Sequence, residues 1–500
     1  MPGEDPGSLT AVVPAREDTA LSAVLAVWAT LCHIAGASLL IATVVTSAAD
    51  GSSADPRRLA ALYAAASLAC LGGAVMSRKL GAVYLIATFY FAIFTALPAL
   101  VQIQSRQFPF GSTYSGSELN RGFLVLALGQ LCLTVGVGII ALRRRRSGAR
   151  GTVTLPLNRA RIAIRLAVLF AFVGVFLAVL AGPSVLFTAR FDESTTVSET
   201  ESMAAQAAFV ARSFTLVALL LTVIATKFVA GRSRPRGVTA ALVFTASVAL
   251  VVNFPLALPR FQLLGVGLAL LVLLFDFRRP LVKGLFTAGA TFFVLYVFAS
   301  VKDLRSGLSL EKSLNSDKTS YLLTADFDSY KQIVDTVIYF SSASYRWGEN
   351  FLGVALFWVP RSWWEDKPIH TGEVVSKGLG YPFTNVSNPL PAEGFASWGI
   401  IGTVVVLLIA GVAVGALEYR RTGARSPNQD VARLLCYALA AAYTTILLRG
   451  ALNAVAPMIL TAFVLAAVVA VVYYRMRETG GHDNTRRAGV ATGERRGSSG

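Results

Sequence analysis

Residues 358–373, WVPRSWWEDKPIHTGE, gather three tryptophans, an arginine, a lysine, a histidine and three carboxylates. Arg361 offers a planar fork that grips phosphate through two hydrogen bonds, and Lys367 offers a compact point charge for the same group. Trp358, Trp363 and Trp364 favour the depth of lipid headgroups. Glu365, Asp366, His370 and Glu373 are groups able to accept a proton, and Glu393 adds another in the following run FTNVSNPLPAEGFASWGIIG, residues 383–402. Phosphate-pairing cations, aromatic faces and proton acceptors together suit chemistry on a polar, sugar-bearing lipid. The same residues also suit an aromatic belt with surface ion pairs, and both uses stay open here.

The elements that must hold this segment are membrane helices. The chain of 500 residues is 55% hydrophobic and 15% charged, with mean hydropathy +0.61, where a soluble protein carries about 25% charge. Its apolar residues cluster in runs long enough to cross a bilayer. The runs predict an all-α, polytopic membrane protein of about twelve transmembrane helices, at 21–46, 58–76, 80–101, 121–142, 160–181, 205–229, 238–256, 261–276, 282–301, 398–417, 430–448 and 452–474. Residues 1–20 are polar and mixed in charge, so the first run reads as a retained helix and not as a cleaved signal.

Alternate loops carry the basic residues, among them Arg78 and Lys79, Arg143 to Arg146, Arg232 to Arg236, Arg278 and Arg279, and Arg420 and Arg421. The positive-inside rule then predicts both termini in the cytoplasm. The net charge of +17 is spent largely on these loops and the tail, which argues against a nucleic-acid partner. Cys32, Cys70, Cys132 and Cys436 fall inside expected spans and lack metal-ligand spacing, so they read as small buried residues and no metal site is expected.

The layout is a cytoplasmic segment 1–20, nine spans within 21–301, a large outer loop 302–397, three spans within 398–474 and a disordered tail 475–500. Within the loop, residues 321–343 read as an amphipathic helix and 351–358 as an interfacial segment. Asp326-Phe327-Asp328 spells a metal-binding DxD pattern, but on that helix it reads as a solvated face. Charges are scarce inside the spans, unlike an ion-coupled transporter. Arg260, after Pro259 at the outer end of a span, and Arg449, in a tight outer turn, break the positive-inside pattern. Snorkelling at a helix end is their bland explanation.

The run PRS-W-KP followed by N-PLPAEGFASWGIIG, entering a helix, resembles the Wzy-type O-antigen and exopolysaccharide repeat-unit polymerases over about 45 residues, 358–402. The resemblance implies a multi-pass enzyme of the bacterial plasma membrane without cofactor. Its donor and acceptor would both be polyprenyl-diphosphate-linked glycans, and a chain-length regulator or flippase would be a further partner. It also implies metal-independent transfer, in which an acceptor hydroxyl attacks the anomeric carbon and polyprenyl diphosphate leaves. Guanidinium groups would then stabilise the leaving charge. Arg260, Arg361 and Arg449 are the expected diphosphate ligands, Glu393 the expected base with His370 second, and Trp363, Trp364, Lys367 and Arg190 the expected substrate contacts. The related glycan ligases usually place a histidine shortly before the helix that follows the loop, where this chain has Glu393. A ligase, or a flippase or exporter of the same lipid-linked sugar, remains the alternative.

Overall fold

The computed structural model describes residues 16–143, 155–182, 186–187, 203–229, 237–255, 258–300, 319–420 and 430–493. Among these the regular structure is helical. The helices are α1 (Arg16–Ala49), α2 (Pro56–Met76), α3 (Ala82–Ser105), α4 (Gly116–Arg143), α5 (Leu157–Ala181), α6 (Met203–Lys227), α7 (Val238–Val252), α8 (Arg260–Leu274), α9 (Pro280–Ser300), α10 (Ser329–Ser342), α11 (Glu349–Ala355), α12 (Thr371–Gly378), α13 (Leu390–Arg420), α14 (Asp430–Arg449) and α15 (Leu452–Gly493). Ten are long and apolar enough to cross a membrane. The expected spans at 238–256 and 261–276 are the 15-residue helices α7 and α8, each about 22 Å long and so shorter than the roughly 30 Å hydrocarbon core. The chain is therefore an all-α, multi-pass membrane protein. The tail after Arg477, expected to lack structure, continues α15 as far as Gly493; no proline lies there to stop it.

Lipid tails are as apolar as leucine, so membrane helices gain most where small residues let backbones touch. The α4–α13 pair shows this. A Cβ on Gly136 would lie 2.5 Å from the Leu408 carbonyl oxygen, and one on Gly411 would lie 2.2 Å from that of Leu133. The α8–α14 contact repeats the device, with the Ala442 carbonyl 2.5 Å from where a Gly265 Cβ would sit. Gly411→Ala is accordingly expected to force α4 and α13 apart and cost about 1–3 kcal/mol, read as a lowered Tm of the detergent-purified protein. A Tm equal to the parent's would refute the close contact.

One face of the bundle is built over by residues 319–397. Gln102 near the end of α3 donates to the Leu322 and Phe327 carbonyls, and Tyr330 donates to the Leu119 carbonyl on α4. The expected helix over 321–343 is only partly realised: two 3-10 turns, Ser320–Leu323 and Ala325–Phe327, precede α10. Nor does α10 keep a solvated face, because Lys331, Gln332, Asp335 and Thr336 are buried with Ile333 and Val334. The segment expected at 351–358 is the short helix α11.

α13 also departs from its expected span. The helix was expected to start near residue 398, with Glu393 in the loop before it. Helical structure instead begins at Leu390, helped by Pro391 in the first turn. It breaks at Trp398 and at Gly399, where φ 63° and ψ −146° belong to glycine. The arm 390–397 folds back on the span, so that Thr403 Oγ1 donates to the Pro391 carbonyl at 3.0 Å.

Two further charges, Lys283 and Glu418, are buried away from the face that residues 319–397 cover. Lys283 donates to the carbonyls of Ala74, Ser77 and Leu80. Glu418 accepts from the Gly81 and Tyr84 amides and from Tyr437.

Candidate active site

The loop turn 325–328 brings the two anomalous arginines together. Arg260, at the first residue of α8, pairs through Nη1 with Asp326 Oδ2 and donates to Tyr321 Oη at 3.2 Å. Tyr321 donates to the same carboxylate oxygen at 2.7 Å. Arg449, at the end of α14, reaches the turn from the other side. Its Nη2 donates to the Ala325 carbonyl at 3.0 Å and pairs with Asp328 Oδ1 at 3.2 Å. The Arg449 guanidinium lies 4.4 Å from the ring centre of Phe261, the neighbour of Arg260.

The two pairs differ in burial, and that decides what each can do. Arg260 and Asp326 keep 20% and 22% of their side chains exposed, whereas Asp328 keeps 3%. Burial drives the Asp328 carboxyl above its ordinary range, and Arg449, the Ser387 hydroxyl and Lys331 oppose that shift. The DxD pattern, read from sequence as a solvated face, is thus the intramolecular partner of both arginines.

Next to it on α10 lies a second ionic cluster that sequence reasoning missed. Lys331 Nζ sits 2.7 Å from Asp335 Oδ2 and donates to Tyr381 Oη at 2.7 Å. Tyr114 and Tyr381 both donate to the Asp335 carboxylate, at 2.6 and 2.8 Å. Desolvation pulls the Lys331 ammonium below its ordinary range, and Asp335 pulls it back up. The amphipathic helix expected over 321–343 did not single out Lys331 or Asp335; Tyr114 and Tyr381, far off in sequence, cover them.

Glu393 sits on the folded-back arm and is wholly buried. Its Oε2 accepts from Thr371 at 2.6 Å and from Asn350 at 2.7 Å, and its Oε1 accepts from the Leu452 amide at 3.0 Å. Arg346 donates to Thr371, extending the cluster. The carboxylate therefore joins α11, α12, α13 and α15, and both its oxygens are taken by donors. His370 caps α12, its Nδ1 accepting from the Glu373 amide at 3.0 Å while Nε2 lies 3.4 Å from Glu373 Oε2. Burial lowers the His370 pKa, although Glu373 and Glu393 act the other way.

The remaining expected residues lie elsewhere. Arg361 Nη1 donates to the Lys367 carbonyl, and Lys367 Nζ donates to the carbonyls of Phe357 and Val359. Desolvation and then the charge of Arg361 lower the Lys367 pKa. The 357–367 turn thus holds its own cations and is a separate cluster from the 325–328 turn. It presents Trp358 and Trp363, the latter 81% exposed, with Trp364 half-buried beside them. Arg190 lies outside the described residues.

Between α8 and α14 a narrow gap with room for about one water molecule is lined by Gln262 and Gly265 of α8, Ala442 and Ile446 of α14, and Arg212 and Met458. The two helices that carry Arg260 and Arg449 are thus also two of its walls. Among the described residues no group of three or more His, Cys, Asp or Glu is placed to hold a metal ion. No family model, curated protein or solved structure matches this chain.

Proposed function

We propose that the chain is a membrane glycosyltransferase of the Wzy kind, polymerising polyprenyl-diphosphate-linked repeat units at the outer face of a bacterial plasma membrane. The observation that carries the reading is the convergence of Arg260 and Arg449, from two helices, on one turn of the large loop. Two guanidinium groups on neighbouring helix ends suit a group with two phosphates. In this reading the loop face is extracytoplasmic and both termini are cytoplasmic.

The donor's diphosphate displaces the Asp326 carboxylate, the more exposed of the two, from Arg260, while Asp328 stays buried beside Arg449. The acceptor hydroxyl oxygen then bonds to the anomeric carbon, and the bond from that carbon to the diphosphate oxygen breaks. The charge left on the diphosphate is held by Arg260 and Arg449. Asp326, released from Arg260 and still partly open to water, takes the hydroxyl proton. This assigns the base to Asp326 and gives Glu393 the role of a brace, since every Glu393 oxygen already accepts a hydrogen bond. Arg361, Lys367 and the tryptophans of the 357–367 turn are assigned to lipid headgroups at the membrane surface.

The test is analysis of lipid-linked glycans in cells lacking the gene. Single repeat units accumulating on the outer leaflet are expected. Long polymer left on its lipid would mean a ligase, and units held on the inner leaflet would mean a flippase; either outcome overturns the polymerase reading.

A further inference from the structure

The Lys331–Asp335 cluster lies beneath an aromatic tray that the transfer chemistry above does not use. Phe110, in the turn Pro109–Gly111, has φ 66° and ψ 13°, a left-handed conformation that a bulky side chain rarely adopts. The residue is 41% exposed to solvent. The Phe383 ring lies 4.6 Å away from it, and Tyr381 stacks on Phe383 at 5.9 Å with an interplanar angle of 29°. Lys331 Nζ lies 4.9 Å from the centre of Phe110 and 4.0 Å from that of Tyr381, its charge compensated by Asp335. Ser112 Oγ stands 3.3 Å from Tyr381 Oη, and Asn385 is exposed along the same segment.

A strained, exposed phenylalanine is costly on its own account, and strain of this kind persists where the surroundings hold it for a use. A lipid anchor needs apolar bulk alone. This tray instead combines ring faces with the Ser112 and Tyr381 hydroxyls, 3.3 Å apart, and with the exposed Asn385. That mixture matches a pyranose ring, whose C–H face packs on the negative face of an aromatic ring while its hydroxyls reach polar neighbours. We propose that Phe110, Tyr381 and Phe383 form a carbohydrate-binding subsite, distinct from the arginine pair, that holds one sugar of an oligosaccharide. Its assignment to the acceptor glycan rests on the polymerase reading; the binding of sugar does not.

The probe is the phosphate-free repeat-unit oligosaccharide, released by mild acid from the lipid-linked pool of the source cells. It is titrated against the full-length protein in nanodiscs. The parent is expected to bind it saturably, and Phe110→Leu and Phe383→Leu to bind it roughly tenfold more weakly, because they keep apolar bulk but lose the flat face. Phe110→Tyr is expected to bind like the parent. Phe110→Gly accepts the same backbone conformation, so it is expected to keep the parent's Tm and still lose the sugar, which separates recognition from folding. Absence of binding by the parent, or equal binding by the leucine variants, overturns the subsite. Arg260→Ala is expected to bind this probe normally. A sugar that binds to a protein whose deletion leaves no single repeat units would retain the subsite and remove the polymerase.

Discussion

Arg260→Ala is expected to abolish polymer while leaving a folded protein. The Arg260–Asp326 pair is partly solvent-exposed, and pairs of that kind contribute about 1 kcal/mol or less to stability. Removing a donor aimed at developing negative charge, in contrast, costs about a hundredfold to a thousandfold in rate. Stability and activity should therefore part company at this position. Arg449→Ala should not separate them. It leaves the Asp328 carboxylate buried without its cation, and breaking a buried pair from one side costs about 3–5 kcal/mol. Thermal unfolding of the two purified variants, read beside the length distribution of glycan in cells producing them, checks both halves. Normal polymer with Arg260→Ala would remove this arginine from the site.

Glu393→Ala is expected to have the largest effect on folding. Three donors from three separate segments end on this one carboxylate: the Thr371 hydroxyl, the Asn350 amide and the Leu452 main-chain amide. Each is left in a buried site without an acceptor, at about 1–3 kcal/mol apiece. The loop face should loosen as a unit, because Arg346 and Trp347 are also tied by their main-chain amides to the arm that carries Glu393. Glu393→Gln keeps the shape and one carbonyl oxygen, so it should recover part of the loss. The comparison also separates a brace from a base. A brace is rescued in part by glutamine in both Tm and polymer, whereas a base is rescued in Tm alone.

The membrane architecture was legible because its cause is local. Each span is a continuous apolar run, and the run alone sets the helix. The oddity of Arg260 and Arg449 was legible for the same reason, since each places a positive charge at a span end away from the basic loops. Their partners were not. Asp326 and Asp328 were assigned to a solvated helix face by periodicity, yet the helix begins only at Ser329 and its polar side is buried. Nothing in residues 319–342 alone states that Gln102, Leu119 and Tyr114, over two hundred positions earlier, will cover them. Density offered the one available signal, with Asp326, Asp328, Lys331 and Asp335 falling within ten residues beside Tyr321 and Tyr330. Glu393 was singled out because it precedes a helix, but its buried hydrogen bonds depend on the fold-back at Gly399, a backbone event that one glycine among 42 does not announce.

The most direct measurement is made on the purified full-length protein. It is supplied with lipid-linked repeat units from cells lacking the gene, in buffer containing EDTA, and the products are separated by length. A ladder of lipid-linked oligomers, lost in Arg260→Ala and in Asp326→Asn, is the predicted result. Single repeat units persisting unchanged with the folded parent protein would contradict the account.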